Sequence, residues 1–116
     1  MKTTLNNLIC LESNIKIYIP GTINVNQAID NSKYIDMALN LFSGFFGGST
    51  KYKAIGTWIS PVNGLIKENI DIVESYCTEK QLNENINDIL DFCFKLKHEL
   101  NQENISLEVN NKLYFV

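Results

Sequence analysis

A chain of 116 residues with 45% apolar and 20% charged residues is long enough to bury one core without disulfide or metal support, and too apolar to stay disordered. Its net charge of -3 and its ten basic residues, all Lys, exclude the basic footprint of a duplex nucleic-acid binder and the bidentate Arg forks that grip phosphate. Cys10, Cys77 and Cys93 form no C-x-x-C pair, His98 is the only histidine and no apolar run reaches membrane-spanning length, so a cytoplasmic protein without metal or cofactor is expected.

Residues 1–13 fit either a short helix or a strand, with the strand favoured. From Asn14, Ile15, Ile17 and Ile19 alternate with Lys16 and Tyr18 until Pro20-Gly21, which predicts a half-buried strand with the isoleucines inward. Between Asp30 and Phe45 the apolar residues Ile35, Ala38, Leu39, Phe42, Phe45 and Phe46 recur at spacings of three and four, a helical stripe that Gly44, Gly47 and Gly48 are expected to terminate. Lys51 to Ser60 reads as a strand, Pro61 to Gly64 as a turn and Leu65 to Cys77 as a second strand. Thr78 and Gln81 have capping-box spacing and announce a helix through Leu82, Ile86, Ile89, Cys93, Leu96 and Leu100. Ile105, Leu107 and Val109 then alternate, and Asn110-Asn111 turns the chain into a final strand, Lys112 to Val116.

The predicted order is β-α-β-β-α-β with an added strand, in one α+β domain spanning residues 1–116. Its simplest packing is a ferredoxin-like plait: an antiparallel sheet, both helices on one face, the first strand beside the third. Two-residue and four-residue turns both gather Ile55, Ile59, Ile66, Ile70 and Ile72 on the inner face of the hairpin. A three-residue loop mixes isoleucines with charges, and the hydrophobic pattern argues against it.

The outer face then carries Tyr52, Gly56, Trp58, Asn69, Asp71 and Val73, joined by Lys16 and Tyr18 of the first strand. Exposed rings on a sheet mark either an interface with a second copy or a platform on which a base stacks, with Lys16, Asn69 and Asp71 offering hydrogen bonds. The expected ligand-binding residues are therefore Lys16, Tyr18, Tyr52, Trp58, Asn69 and Asp71, with no catalytic residue. Gly47-Gly48-Ser49-Thr50-Lys51 invites comparison with a phosphate cradle, but it leaves a helix C-terminus, where the dipole repels anions. Helix termination accounts for it better.

The runs Phe46-Gly47-Gly48-Ser49-Thr50, Ala54-Ile55-Gly56-Thr57-Trp58, Gly64-Leu65-Ile66-Lys67-Glu68 and Ile72-Val73-Glu74-Ser75-Tyr76 resemble a pattern in short uncharacterised proteins of bacteria, phages and plasmids. More loosely the chain is similar to the DUF3574 group of small ferredoxin-like proteins. The resemblance implies the fold. By size and context it also invites comparison with phage counter-defence sponges, oligomers that trap nucleotide messengers without hydrolysing them.

The expectation is thus a non-enzymatic, self-associating protein that binds or sequesters a small nucleotide-like ligand, with no duplex nucleic acid or membrane partner. The alternative is a homo-oligomeric interaction module without a small ligand. A third reading is an acid/base enzyme that uses Glu68, a carboxylate among isoleucines.

Overall fold

The computed structural model describes residues 4–24 and 27–116. Strand β1 is Ser13–Pro20, followed by a short ribbon of β2, Thr22–Ile23, and β3, Gln27–Ala28. Helix α1 is Ser32–Phe46, strands β4 and β5 are Thr50–Ser60 and Gly64–Cys77, helix α2 is Glu79–Glu99, and β6 and β7 are Ser106–Val109 and Lys112–Phe115. The main sheet has five antiparallel strands in the order β4-β5-β1-β6-β7. The fold is mixed α+β.

The alternation in β1 does what period-two patterning requires. Ile15, Ile17 and Ile19 are fully buried, and they share one core cluster with Ala38, Phe42 and Phe46 of α1 and Leu82, Ile89, Cys93 and Leu96 of α2. Phe42 and Phe46 meet edge to face, with centroids 5.8 Å apart. Gly47 ends α1 at φ 88°, a left-handed conformation that suits glycine, and its N–H bonds the Ser43 carbonyl. The Gly48 carbonyl accepts from the Ser75 hydroxyl at 2.6 Å, so this segment ties the helix end to β5.

The capping box of α2 is present in both halves: the Gln81 N–H donates to Thr78 Oγ1 at 3.1 Å and the Thr78 N–H to Gln81 Oε1 at 2.9 Å. Asn110 and Asn111, at φ 50° and 66°, make the tight turn between β6 and β7. The N-terminal segment corrects the strand reading: it holds a single 3-10 turn at Leu5–Asn7, and residues 1–3 of that prediction lie outside the described residues. Its apolar side chains are exposed, with Ile9 at 95%, so no burial rewards a strand there.

The hairpin register is the main correction. Ser60 pairs with Gly64 across the three-residue loop Pro61 to Asn63, the loop length that the sequence pattern disfavoured. Gly64 at φ 71° supplies the left-handed residue with which such loops close, while Ser60 Oγ accepts from the N–H groups of Val62 and Asn63. Residues directly opposite share a face, and here Ile55 faces Asn69, Ile59 faces Leu65 and Trp58 faces Ile66. Ile55 and Ile59 therefore point to the helix side, whereas Ile66, Ile70 and Ile72 lie on the other side with the rings. The assumption of one isoleucine face fails because β1 ends at Pro20, opposite Ile70. Beyond that pair the hairpin projects as an arm, and Ile55 and Ile59 are 67% and 76% exposed. With no helix over it, neither face of the arm is pinned by burial.

Candidate functional site

The face of the sheet turned away from the helices is set by the same registers. Lys16 lies between Glu74 and Glu108, Tyr18 lies opposite Ile72, and Ile72 is in turn opposite Tyr52. Lys16, Tyr18, Tyr52 and Trp58 are thus gathered on the open face as the sequence suggested. Asn69 and Asp71 are not: Asn69 pairs with Ile55 and Asp71 with both Ile19 and Lys53, which places them on the helix side. Val73, also assigned to the outer face, is fully buried in the core. These three assignments fall with the hairpin register.

The open face is carboxylate-rich. Lys16 Nζ stands 3.6 Å from Glu74 and 3.5 Å from Glu108, and the Tyr18 hydroxyl donates to Glu108 at 3.0 Å. Asn14 Nδ2 donates to Glu74 at 2.7 Å. Burial pushes the Tyr18 pKa up, and donation to Glu108 adds to the rise. Burial pulls the Lys16 pKa down, but the Tyr52 phenol and the carboxylates of Glu108 and Glu74 outweigh it and hold the ammonium above its ordinary value. This corner is a locked ionic network.

Further along β5 the face opens into a cleft of about 660 Å³ between the arm and the loop joining α2 to β6. Trp58, Glu68 and Ile70 line it from the arm, Gln102 and Asn104 from the loop and Ser106 from the start of β6. A smaller hollow of about 150 Å³ beside it brings in Tyr18 and shares Glu68. Glu68 thus borders both hollows. The Trp58 indole N–H donates to Glu68 Oε1 at 3.3 Å, and Gly56 leaves room for Ile70, whose Cδ1 lies 2.6 Å from where a Cβ would stand. Gln102 fixes the loop by donating to the carbonyls of Thr22 and Leu100 at 3.1 and 3.2 Å.

Glu103 adds a second carboxylate to the larger hollow, and no lysine lines either one among the described residues. Such a cleft suits an apolar or cationic ligand with a flat ring system and disfavours phosphate. The contribution of Gln102 and Asn104 from the loop and of Ser106 at the start of β6 was missed by sequence reasoning, because nothing local in an Asn/Gln-rich turn signals that it closes a cleft with a hairpin distant in the chain. The cysteines take no part: burial raises the Cys77 thiol and pushes Cys93 up to about 12, and Cys10 lies elsewhere. Among the described residues no group of His, Cys, Asp and Glu is arranged to hold a metal, and no helix is long and apolar enough to cross a membrane.

No family model and no curated protein sequence matches this chain. Its fold does match solved structures. A phage SAM lyase in complex with S-methyl-5'-thioadenosine superposes with a TM-score of 0.65 at 11% identity, covering 94% of this chain and 92% of that one. A phage SAM lyase in its apo state gives a TM-score of 0.62 at 10% identity over 90% and 87% of the two chains. The non-enzymatic sponge expected from the sequence is corrected by this finding. These two chains, which share the architecture nearly end to end, are those of an enzyme, and the ligand in one of them is a thionucleoside without phosphate.

Proposed function

We propose that this chain is an enzyme that binds an S-adenosylmethionine-related ligand in the open-face cleft and breaks its carbon–sulfur bond to release S-methyl-5'-thioadenosine. The observation that carries this reading is the coincidence of the lyase fold with a ring-bearing, carboxylate-lined cleft. The ligand chemistry agrees with the residues. S-adenosylmethionine carries a sulfonium and an ammonium against one carboxylate, so it is a net cation, and it has no phosphate for the missing arginines to grip. An indole face holds both an adenine ring and a sulfonium, the latter by a cation–π attraction of roughly 0.5–2 kcal/mol.

In this reading Trp58 and Tyr18 supply ring surface to the two hollows, and Lys16 anchors Glu74 and Glu108 further along the same face. Glu68 is the carboxylate within reach of the reacting centre. As the bond breaks, its electron pair passes to sulfur and converts the sulfonium to a neutral thioether. The detached carbon regains its electrons from within the substrate, either from its own carboxylate by ring closure or from a neighbouring C–H bond whose proton passes to Glu68. No water is consumed. The neutral product loses the attraction that held the cation, which favours its release.

We read the strand order as that of a ferredoxin-like plait with one added C-terminal strand, and the projecting arm as the means by which copies of the chain associate and shield the cleft. The exposed apolar side chains of Ile55, Ile59, Val62 and Leu65 support this part. Incubating the purified protein with S-adenosylmethionine and separating the products chromatographically tests the function. Formation of S-methyl-5'-thioadenosine that slows by about 10²–10³ in Glu68→Gln is expected; intact S-adenosylmethionine after prolonged incubation with folded protein overturns the reading.

A further inference from the structure

On the helix side of the sheet, away from the proposed active site, Asp71 presents an anomaly. Its residue is only 5% exposed, and Oδ1 is buried without a hydrogen-bond partner. Asn31 Nδ2 donates to the other oxygen, Oδ2, at 3.0 Å and to the Pro20 carbonyl at 3.1 Å. Asn31 is the residue before α1, yet its side chain makes no helix cap because it is spent on Asp71. Lys51 Nζ stands 3.6 Å from Oδ1, an ion-pair distance too long for a good hydrogen bond. Buried carboxylate oxygens are ordinarily satisfied, so an orphan calls for a donor.

Asp71 lines a crevice of about 260 Å³ together with Lys53, Asn69, Asn31 and Gly21. Lys53 pairs directly with Asp71 across β4 and β5, which puts their Cβ atoms about 5 Å apart. Lys53 has no ion-pair partner among the described residues. The crevice therefore brings together a carboxylate with one oxygen short of a good donor and covered by Lys51, and an ammonium lacking its anion, in a space the size of a small metabolite.

We infer that this crevice binds a small zwitterion of the α-amino acid class. The ligand ammonium takes the place of Lys51 at Asp71 Oδ1, and Lys51, whose side chain is a third exposed, swings toward solvent to admit it. The ligand carboxylate meets Lys53, with the Asn69 amide beside it. The 260 Å³ available leaves ample room for a small side chain on such a ligand. The two sites lie on opposite faces of β5, so this inference stands independently of the proposed reaction.

The test follows the side-chain amides of Asn31 and Asn69 by nuclear magnetic resonance while L-alanine, ethylamine or propionate is added to the full chain. L-alanine is expected to shift both amides saturably, and the two half-ligands, each lacking one charged group, to bind at least tenfold more weakly. Lys53→Ala, an exposed change that leaves the fold intact, is expected to abolish the L-alanine shifts; Trp58→Ala is expected to leave them unchanged. Absent shifts at tens of millimolar L-alanine, equal binding of ethylamine, or shifts that persist in Lys53→Ala overturn the inference.

Discussion

The Trp58 indole donates to the Glu68 carboxylate, Nε1 to Oε1 at 3.3 Å, as a diagonal pair: Trp58 lies opposite Ile66 on β5, and Glu68 lies opposite Gly56 on β4. The missing side chain at Gly56 makes room beside Glu68 for Ile70, whose Cδ1 lies 2.6 Å from where a Cβ would stand. One residue therefore holds the charge and its neighbour holds it in place.

Replacing Glu68 by Gln keeps an oxygen for the indole and removes the charge. A fall of about 10²–10³ in kcat for S-methyl-5'-thioadenosine formation is expected, the scale of losing one carboxylate that transfers a proton or faces a cation. Both residues are near the arm, away from the core cluster, so the melting temperature stays within about 2 °C. Trp58→Ala is expected to raise KM chiefly. Product chromatography across a substrate series separates the two effects.

The open-face network makes stability fall at alkaline pH. Tyr18 and Lys16 are both raised above ordinary values of 10.0 and 10.5, so the fold favours their protonated forms. Below those values the folded and unfolded chains bind equal protons and the contribution is complete. As pH rises, the unfolded chain loses its protons first, and stability declines until the folded groups have titrated too. Urea midpoints should hold between pH 7 and 9 and drop above pH 10. Tyr18→Phe should be less stable at pH 8 by about 1 kcal/mol, for the lost bond to Glu108, and should show a shallower alkaline decline.

The parts of the fold that were legible are those where burial fixes one answer. Ile15, Ile17 and Ile19 sit under both helices, so their alternation admitted one orientation, and Thr78 with Gln81 marked a helix start by chemistry that needs no tertiary context. The arm was illegible for the converse reason: Ile55 and Ile59 gain little from either face, and the loop from Pro61 to Asn63 with Gly64 at φ 71° decides the register instead. Trp58, Tyr18, Tyr52 and Lys16 came out on the open face because β1 alone orders two of them and the ring-bearing parity of β4 the others. Asn69 and Asp71 went to the wrong side with the slipped register. The β2–β3 ribbon, two residues in each strand, carried no period to detect.

Two glycines should respond in opposite ways to alanine. At Gly21 a Cβ would stand 2.6 Å from the Asn69 carbonyl oxygen, a backbone atom, and the Gly21 N–H already bonds that oxygen at 2.9 Å. Neither partner can yield, and Gly21→Ala should cost about 2 kcal/mol or more, read as a lower urea midpoint. At Gly56 the clash is with Ile70 Cδ1, the tip of a mobile side chain. Gly56→Ala should cost less stability but push Ile70 into the cleft, so KM rises while the urea midpoint barely moves.

Self-association is testable on the arm because the arm contributes nothing to the monomer core. Ile55, Ile59, Val62 and Leu65 are all more than half exposed, and a chain of 13.2 kDa rarely leaves such a stripe uncovered. Light scattering on the wild-type protein should give a multiple of that mass, whereas Ile59→Lys should shift it to the single-chain value without changing the far-ultraviolet circular dichroism. If copies shield the cleft, the same variant should lose S-methyl-5'-thioadenosine formation with its own Trp58 and Glu68 intact, and mixing it with Glu68→Gln chains should not restore full activity. A wild-type mass of one chain at every concentration would remove the arm from any role in assembly, and would require the cleft to work open to solvent.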